Sequence, residues 1–162
     1  MGETRIVNLT KTASGVQETE VLVNDERVGK IRIKIAPGAR LRIGEIRYAE
    51  RTSSSENGAM AKGYLALLEY FSLDVLRSGI KMSFSARTFW KKLRPPEGFK
   101  KYEARCIYAG VKDPEHSPVE VGTTESGEKF EMLENSNWYC LVRDEVPKEK
   151  LGGFGYRISE ID

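Results

Sequence analysis

The sequence predicts a single α/β domain built on a mostly antiparallel central sheet, with a long helix after the fourth strand. Three observations carry this. Apolar and polar residues alternate through Glu18–Asn24 and Arg27–Ala36, the period-two signature of a half-buried hairpin. From Ala59 to Ser78 the spacing is helical instead, with Met60, Tyr64, Leu65, Leu67, Leu68, Phe71, Val75 and Leu76 spread over an arc broad enough to pack on a sheet. The chain of 162 residues is the size of one domain, and no apolar run in it is long enough to span a membrane.

The elements follow in order. Residues 5–9 read as a short first strand and Thr10–Gln17, with Gly15, as a turn. Glu18–Asn24 and Arg27–Ala36 form the hairpin around Asn24-Asp25-Glu26, and Pro37-Gly38 ends it. Leu41, Ile43, Ile46 and Tyr48 mark the fourth strand, Arg42–Ala49, and Glu50–Gly58 a glycine-containing turn. The helix has border signals at both ends: Ser53 with Glu56 as a capping box upstream of Gly58, and Arg77 with Gly79 as last turn and C-cap. Lys81–Ser85 reads as a short strand and Ala86–Leu93 as a short amphipathic helix that Pro95-Pro96 stops. Phe99–Ala109 is the next strand. Val111–Glu128 is a long polar loop with a short β-bridge at Val119–Val121, and Phe130–Leu133 and Trp138–Val142 close the sheet. The domain is read as residues 1–146, with 147–162 a glycine-containing tail or flap.

Composition narrows the function classes. The net charge of +2 is weak for a protein that tracks phosphates, which argues against nucleic acid as the partner without excluding it. Two cysteines, Cys106 and Cys140, are too few and too far apart for a metal-ligand pattern and read as reduced cytosolic thiols. The lone histidine, His116, sits between prolines in a loop, so neither a histidine triad nor a multi-histidine metal site is expected. The N-terminus lacks an apolar signal region, and Ile6 stands where a myristoylation motif needs Ser or Thr; the expected compartment is the cytoplasm. Ser53-Ser54-Ser55 reads as loop and cap, and Gly152-Gly153-Phe154-Gly155 precedes no helix that would make it a phosphate loop.

Ser83-Phe84-Ser85-Ala86-Arg87-Thr88-Phe89-Trp90-Lys91-Lys92-Leu93, followed by Gly98-Phe99, resembles the second half of the GNAT acetyltransferase core. That family commonly shows Asn-x-x-Ala-x-x-(Phe/Leu)-Tyr-x-Lys-Leu-Gly-Phe, and Ala86, Phe89, Lys92, Leu93, Gly98 and Phe99 match it. The resemblance implies acetyl-CoA as cofactor and N-acyl transfer to an amine acceptor. It places Glu45 as base and the amides near Ile46 and Tyr48 on the thioester carbonyl, with Tyr102 or Cys106 reprotonating the thiolate. The CoA diphosphate falls to the turn Gly58-Ala59-Met60-Ala61-Lys62-Gly63, with Gly58, Ala61 and Gly63 in the loop pattern and Arg51 or Lys62 supplying the basic side chain. Ser83, Phe89 and Trp90 complete the cofactor-binding set.

The departures are specific. Gly58 and Ala61 stand where the family's (Gln/Arg)-x-x-Gly-x-(Gly/Ala) has its basic residue and first glycine. Trp90 replaces the tyrosine that often acts as general acid, and an indole cannot supply that proton. Ser83 replaces the asparagine. Thr10–Gln17 is too short for the family's two N-terminal helices, and Arg94–Glu97 is inserted before Gly98.

Three readings stay open: a CoA-dependent acetyltransferase with an unusual site, as a monomer or a homodimer; a GNAT-like module without catalysis that binds or inhibits a macromolecular partner, its basic run Lys91-Lys92-Arg94 and Lys100-Lys101-Arg105 facing an acidic partner or nucleic acid; and a different α/β fold that matches the motif by chance. In the same spirit, Glu45 is either a base or a strand carboxylate paired with Arg47 or Arg42.

Overall fold

A computed structural model of the chain describes residues 3–10, 15–35, 40–52, 58–79, 81–106, 118–123, 127, 129–134, 137–151 and 156–161. The Ser53–Glu56 capping box, the Pro37-Gly38 turn, His116 and the Gly152–Gly155 stretch lie outside them. The chain divides into two compact units, Met1–Arg77 and Ser78–Asp162.

The first unit is a five-stranded sheet in the order β1-β2-β3-β4-β5 with one helix. Strands β1 (Thr4–Asn8), β2 (Val16–Val23), β3 (Glu26–Ile35) and β4 (Ile43–Arg51) are antiparallel neighbours. Helix α1 (Ala59–Tyr70) crosses over to β5 (Val75–Arg77), which lies parallel to β4. The long helix therefore follows the fourth strand, as expected. Alternation sorts the two faces: Ile31, Ile33 and Ile35 are buried, while Lys30, Arg32 and Lys34 form the other face with Glu18 and Glu45, their ladder neighbours. α1 packs on the apolar face at two glycines. A Cβ on Gly63 would meet the Val21 side chain at 2.8 Å, and one on Gly29 would come within 2.2 Å of the Met60 sulfur.

α1 ends eight residues before the expected Ser78. Ser72 takes the left-handed conformation at φ 51°, with Leu73 N–H donating to Leu68 O at 2.8 Å and Ser72 N–H to Glu69 O at 3.1 Å. That is a Schellman cap with serine where glycine usually stands. Arg77 and Gly79 are not the helix end. Leu73, Val75 and Leu76 are buried as the approach to β5 and the strand itself, and because they extend the apolar arc of α1 they read as helix in one dimension. Asp74 fixes the strand entry, accepting from Arg42 N–H at 2.8 Å and donating its own N–H to Arg42 O at 2.8 Å.

The second unit holds two three-stranded sheets. β10 (Asn137–Arg143) and β11 (Tyr156–Ile161) flank β7 (Phe99–Cys106), all antiparallel. β6 (Lys81–Met82) and β8 (Pro118–Thr123) flank β9 (Lys129–Glu134). The expected strand Lys81–Ser85 shortens because Ser83 caps α2 (Phe84–Lys92), its Oγ accepting from Ala86 N–H at 3.1 Å. The expected bridge at Val119–Val121 is the full strand β8, and the C-terminal segment contributes a 3-10 turn at Lys148–Leu151 and then β11. Among the described residues no helix is long and apolar enough to cross a membrane.

Candidate functional site

Two sets of polar side chains stand out, one in each unit. In the first, the β3–β4 register slips between Arg32 and Ile33: Arg32 faces Tyr48 and Ile33 faces Ile46, so Arg47 is an extra, bulged residue. A bulge re-aims the side chains around it. Here it brings Arg47 Nε to 3.1 Å from Glu45 Oε1, and Arg77 Nε, at the end of β5, lies 3.4 Å from Glu45 Oε2. Glu45 is thus the ion-paired strand carboxylate, with Arg77 in addition to one of the two arginines expected. Tyr48 is half-buried and donates its hydroxyl to Glu50 at 2.6 Å, and the Arg32 guanidinium stacks 5.5 Å from its ring centre.

The parallel pairing of β4 and β5 covers only Ile43–Glu45 against Val75–Arg77. The Ile46–Arg51 half of β4 therefore runs on past the end of its parallel neighbour and leads, through Thr52, toward the helix. At the start of α1, Gly58 is exposed with φ 86°, no side chain among the described residues caps the first turn, and no acidic residue stands in it. Helix N-termini carry unsatisfied N–H donors and the positive end of the dipole. Ala61 is half-buried in that turn and Lys62 is exposed beside it. Arg51, at the end of β4, is exposed as well. Gly63 lies further along and is buried against Val21, so its small size is explained by packing.

The second set is a partly buried network across β7, β10 and α2, with Arg105 at its exposed end. Asn137 Nδ2 donates to Glu103 Oε2 at 2.9 Å and to Tyr139 Oη at 3.2 Å, and Arg105 Nε donates to Glu103 Oε1 at 2.7 Å. Tyr139 also bonds Glu103, and Arg87 of α2 bonds Tyr139. Burial pushes the Glu103 carboxyl up, but the hydrogen bonds from Arg105, Asn137 and Tyr139 outweigh it and hold the group below the ordinary glutamate range. Burial and the Glu103 charge push the Tyr139 phenol up, against Arg87 and Asn137. Lys101 is fully buried and donates from Nζ to Lys91 O and Leu93 O, both at 2.9 Å, at the C-terminal end of α2.

Only Lys101 and Arg105 of this set figure in the sequence reading, as members of a basic run facing an acidic partner or nucleic acid; Lys101 is instead buried, with its ammonium given to the α2 carbonyls. The signal was the alternation of Lys101, Glu103 and Arg105 on one face of β7 against Tyr102 and Ala104 on the other. Tyr102, the expected proton donor, is buried on that opposite face with Cys140 as its ladder partner. Trp90 is buried and Phe89 half-buried.

The Glu103 geometry makes a pH prediction. Its folded-state pKa is below that of the unfolded chain, so its contribution to stability is complete above about pH 4.5 and is lost as pH falls through the folded value. Glu103→Gln should lower stability at neutral pH and flatten its loss between about pH 5 and pH 2. Acid titrations followed by circular dichroism check this, and identical slopes for the two proteins would remove the assignment.

Neither a protein-family model nor a curated protein matches the sequence. Among solved structures, 28 chains match. A Bacillus subtilis acetyltransferase in complex with CoA is 13% identical at a TM-score of 0.45, covering 85% of this chain and 97% of its own. A GNAT family acetyltransferase from Elizabethkingia anophelis with acetyl-CoA bound is 12% identical at 0.45, with 86% and 97% covered. An acetyltransferase of the GNAT family from Streptococcus pneumoniae is 15% identical at 0.40, with 81% and 70% covered.

Proposed function

We propose that the chain is an acyl-CoA-dependent N-acetyltransferase. The observation that carries this is the junction of β4 and α1: a bulged strand that outruns its parallel neighbour, leading to a helix whose first turn holds no acidic residue and, among the described residues, no capping side chain. Such an end suits an anion, here the CoA diphosphate, because free N–H groups and the helix dipole act together. The residues fit. Among the described residues a Cβ at Gly58 would meet nothing within 4 Å, and Lys62 adds a cation beside it. We assign the diphosphate to the amides of Gly58–Ala61 with Lys62 or Arg51, and the thioester arm to β4 at Ile46–Tyr48. Gly63 and Trp90, both buried, are left out of the assignment.

In the reaction the amine nitrogen attacks the thioester carbonyl carbon, a C–N bond forms, the C–S bond breaks, and CoA leaves as a thiolate that takes up a proton. Attack requires a neutral amine, so a base must first remove the ammonium proton. Glu45 is the carboxylate we assign to that step, directly or through water, using a lone pair left over from its two arginine contacts. A backbone amide of β4 polarises the carbonyl.

Calorimetric titration with acetyl-CoA and with CoA tests the reading. Micromolar binding is expected, and Lys62→Glu should weaken it by roughly tenfold, the loss of one charge-assisted phosphate contact. No heat at millimolar cofactor would sink the enzyme. The competing reading, a binding module without catalysis, would then take its place, starting from Lys91, Lys92, Arg94 and Lys100, all exposed.

A further inference from the structure

We draw no further inference here: the strongest candidate, the side-chain cluster of Glu103, Asn137 and Tyr139 on β7 and β10, carries nothing, because its members hydrogen-bond one another and nothing in the structure shows a ligand for the acceptor left over at Asn137 Oδ1.

Discussion

Gly29→Val is expected to destabilise the first unit by about 3 kcal/mol, although valine is a better strand residue than glycine. Two effects of opposite sign compete. Intrinsic strand preference favours valine by no more than about 1 kcal/mol. Against it, a Cβ at position 29 would lie 2.2 Å from the Met60 sulfur and 2.8 Å from the Glu50 carbonyl oxygen. The first neighbour is a flexible thioether that can swing aside; the second is backbone of the adjacent strand β4 and cannot move without disturbing the ladder. Overpacking therefore wins, and α1 must lift from the sheet or β4 must shift. Urea unfolding followed by circular dichroism should show the midpoint falling with little change in slope. Adding Met60→Ala should recover only part of the loss, because it relieves the sulfur contact and leaves the carbonyl. A Gly29→Val protein within about 0.5 kcal/mol of the parent would mean that α1 does not rest on Gly29.

Gly29 also shows where one-dimensional reading stops. The strands β2 and β3 were legible because alternation has a direct cause: side chains on a pleated strand point to opposite faces, and only one face is buried. The start of α1 was legible for a similar reason. Its end was not, since Leu73, Val75 and Leu76 continue the helical arc and the residue that stops the helix is Ser72, whose left-handed φ is unusual for serine. Which glycines are contact points and which are turns is likewise a tertiary fact: Gly63 belongs under Val21, and Gly58, with a left-handed φ, opens α1.

For the candidate site the same division holds. Glu45 was identified as a strand carboxylate with arginine neighbours, and Arg47 is close in sequence. Arg77 was assigned to a helix turn, so its approach to Glu45 was invisible until the parallel β4–β5 pairing placed the two opposite each other. Ser83 was read as a cofactor contact from a motif position; the observed hydrogen bond gives that hydroxyl a capping task. The Glu103–Asn137–Tyr139 network joins residues more than thirty positions apart in sequence, and nothing but the register of β7 with β10 brings them together.

Lys101→Met is expected to cost about 3 kcal/mol at neutral pH, and more at alkaline pH. The case for a gain has to be met first, since an ammonium removed from water carries a desolvation penalty of several kcal/mol that methionine avoids. Here the penalty is largely compensated: Nζ donates to Lys91 O and Leu93 O at 2.9 Å each and lies 6.0 Å from the centre of the Tyr139 ring. These carbonyls form the negative end of α2, and methionine would remove a donor from both, at roughly 1–3 kcal/mol for each one left unsatisfied. Orphaned carbonyls outweigh the recovered desolvation. The pH dependence follows from the sign of the shift. Burial pushes the Lys101 pKa down, against the Glu103 charge, from the ordinary lysine value of 10.5. Between the lowered folded value and 10.5 the unfolded chain binds more protons, so this group adds stability as pH rises through that window. A neutral amine still has two N–H groups for the two carbonyls. The gap between parent and Lys101→Met should therefore widen on going from pH 7 toward about pH 10. The neighbouring Lys100→Met, on an exposed position, is the control and should stay within about 0.5 kcal/mol of the parent. A constant gap would mean that Lys101 is held with its ordinary proton affinity; a Lys101→Met protein as stable as the parent at both pH values would mean that α2 does not depend on Lys101 for its C-terminal cap.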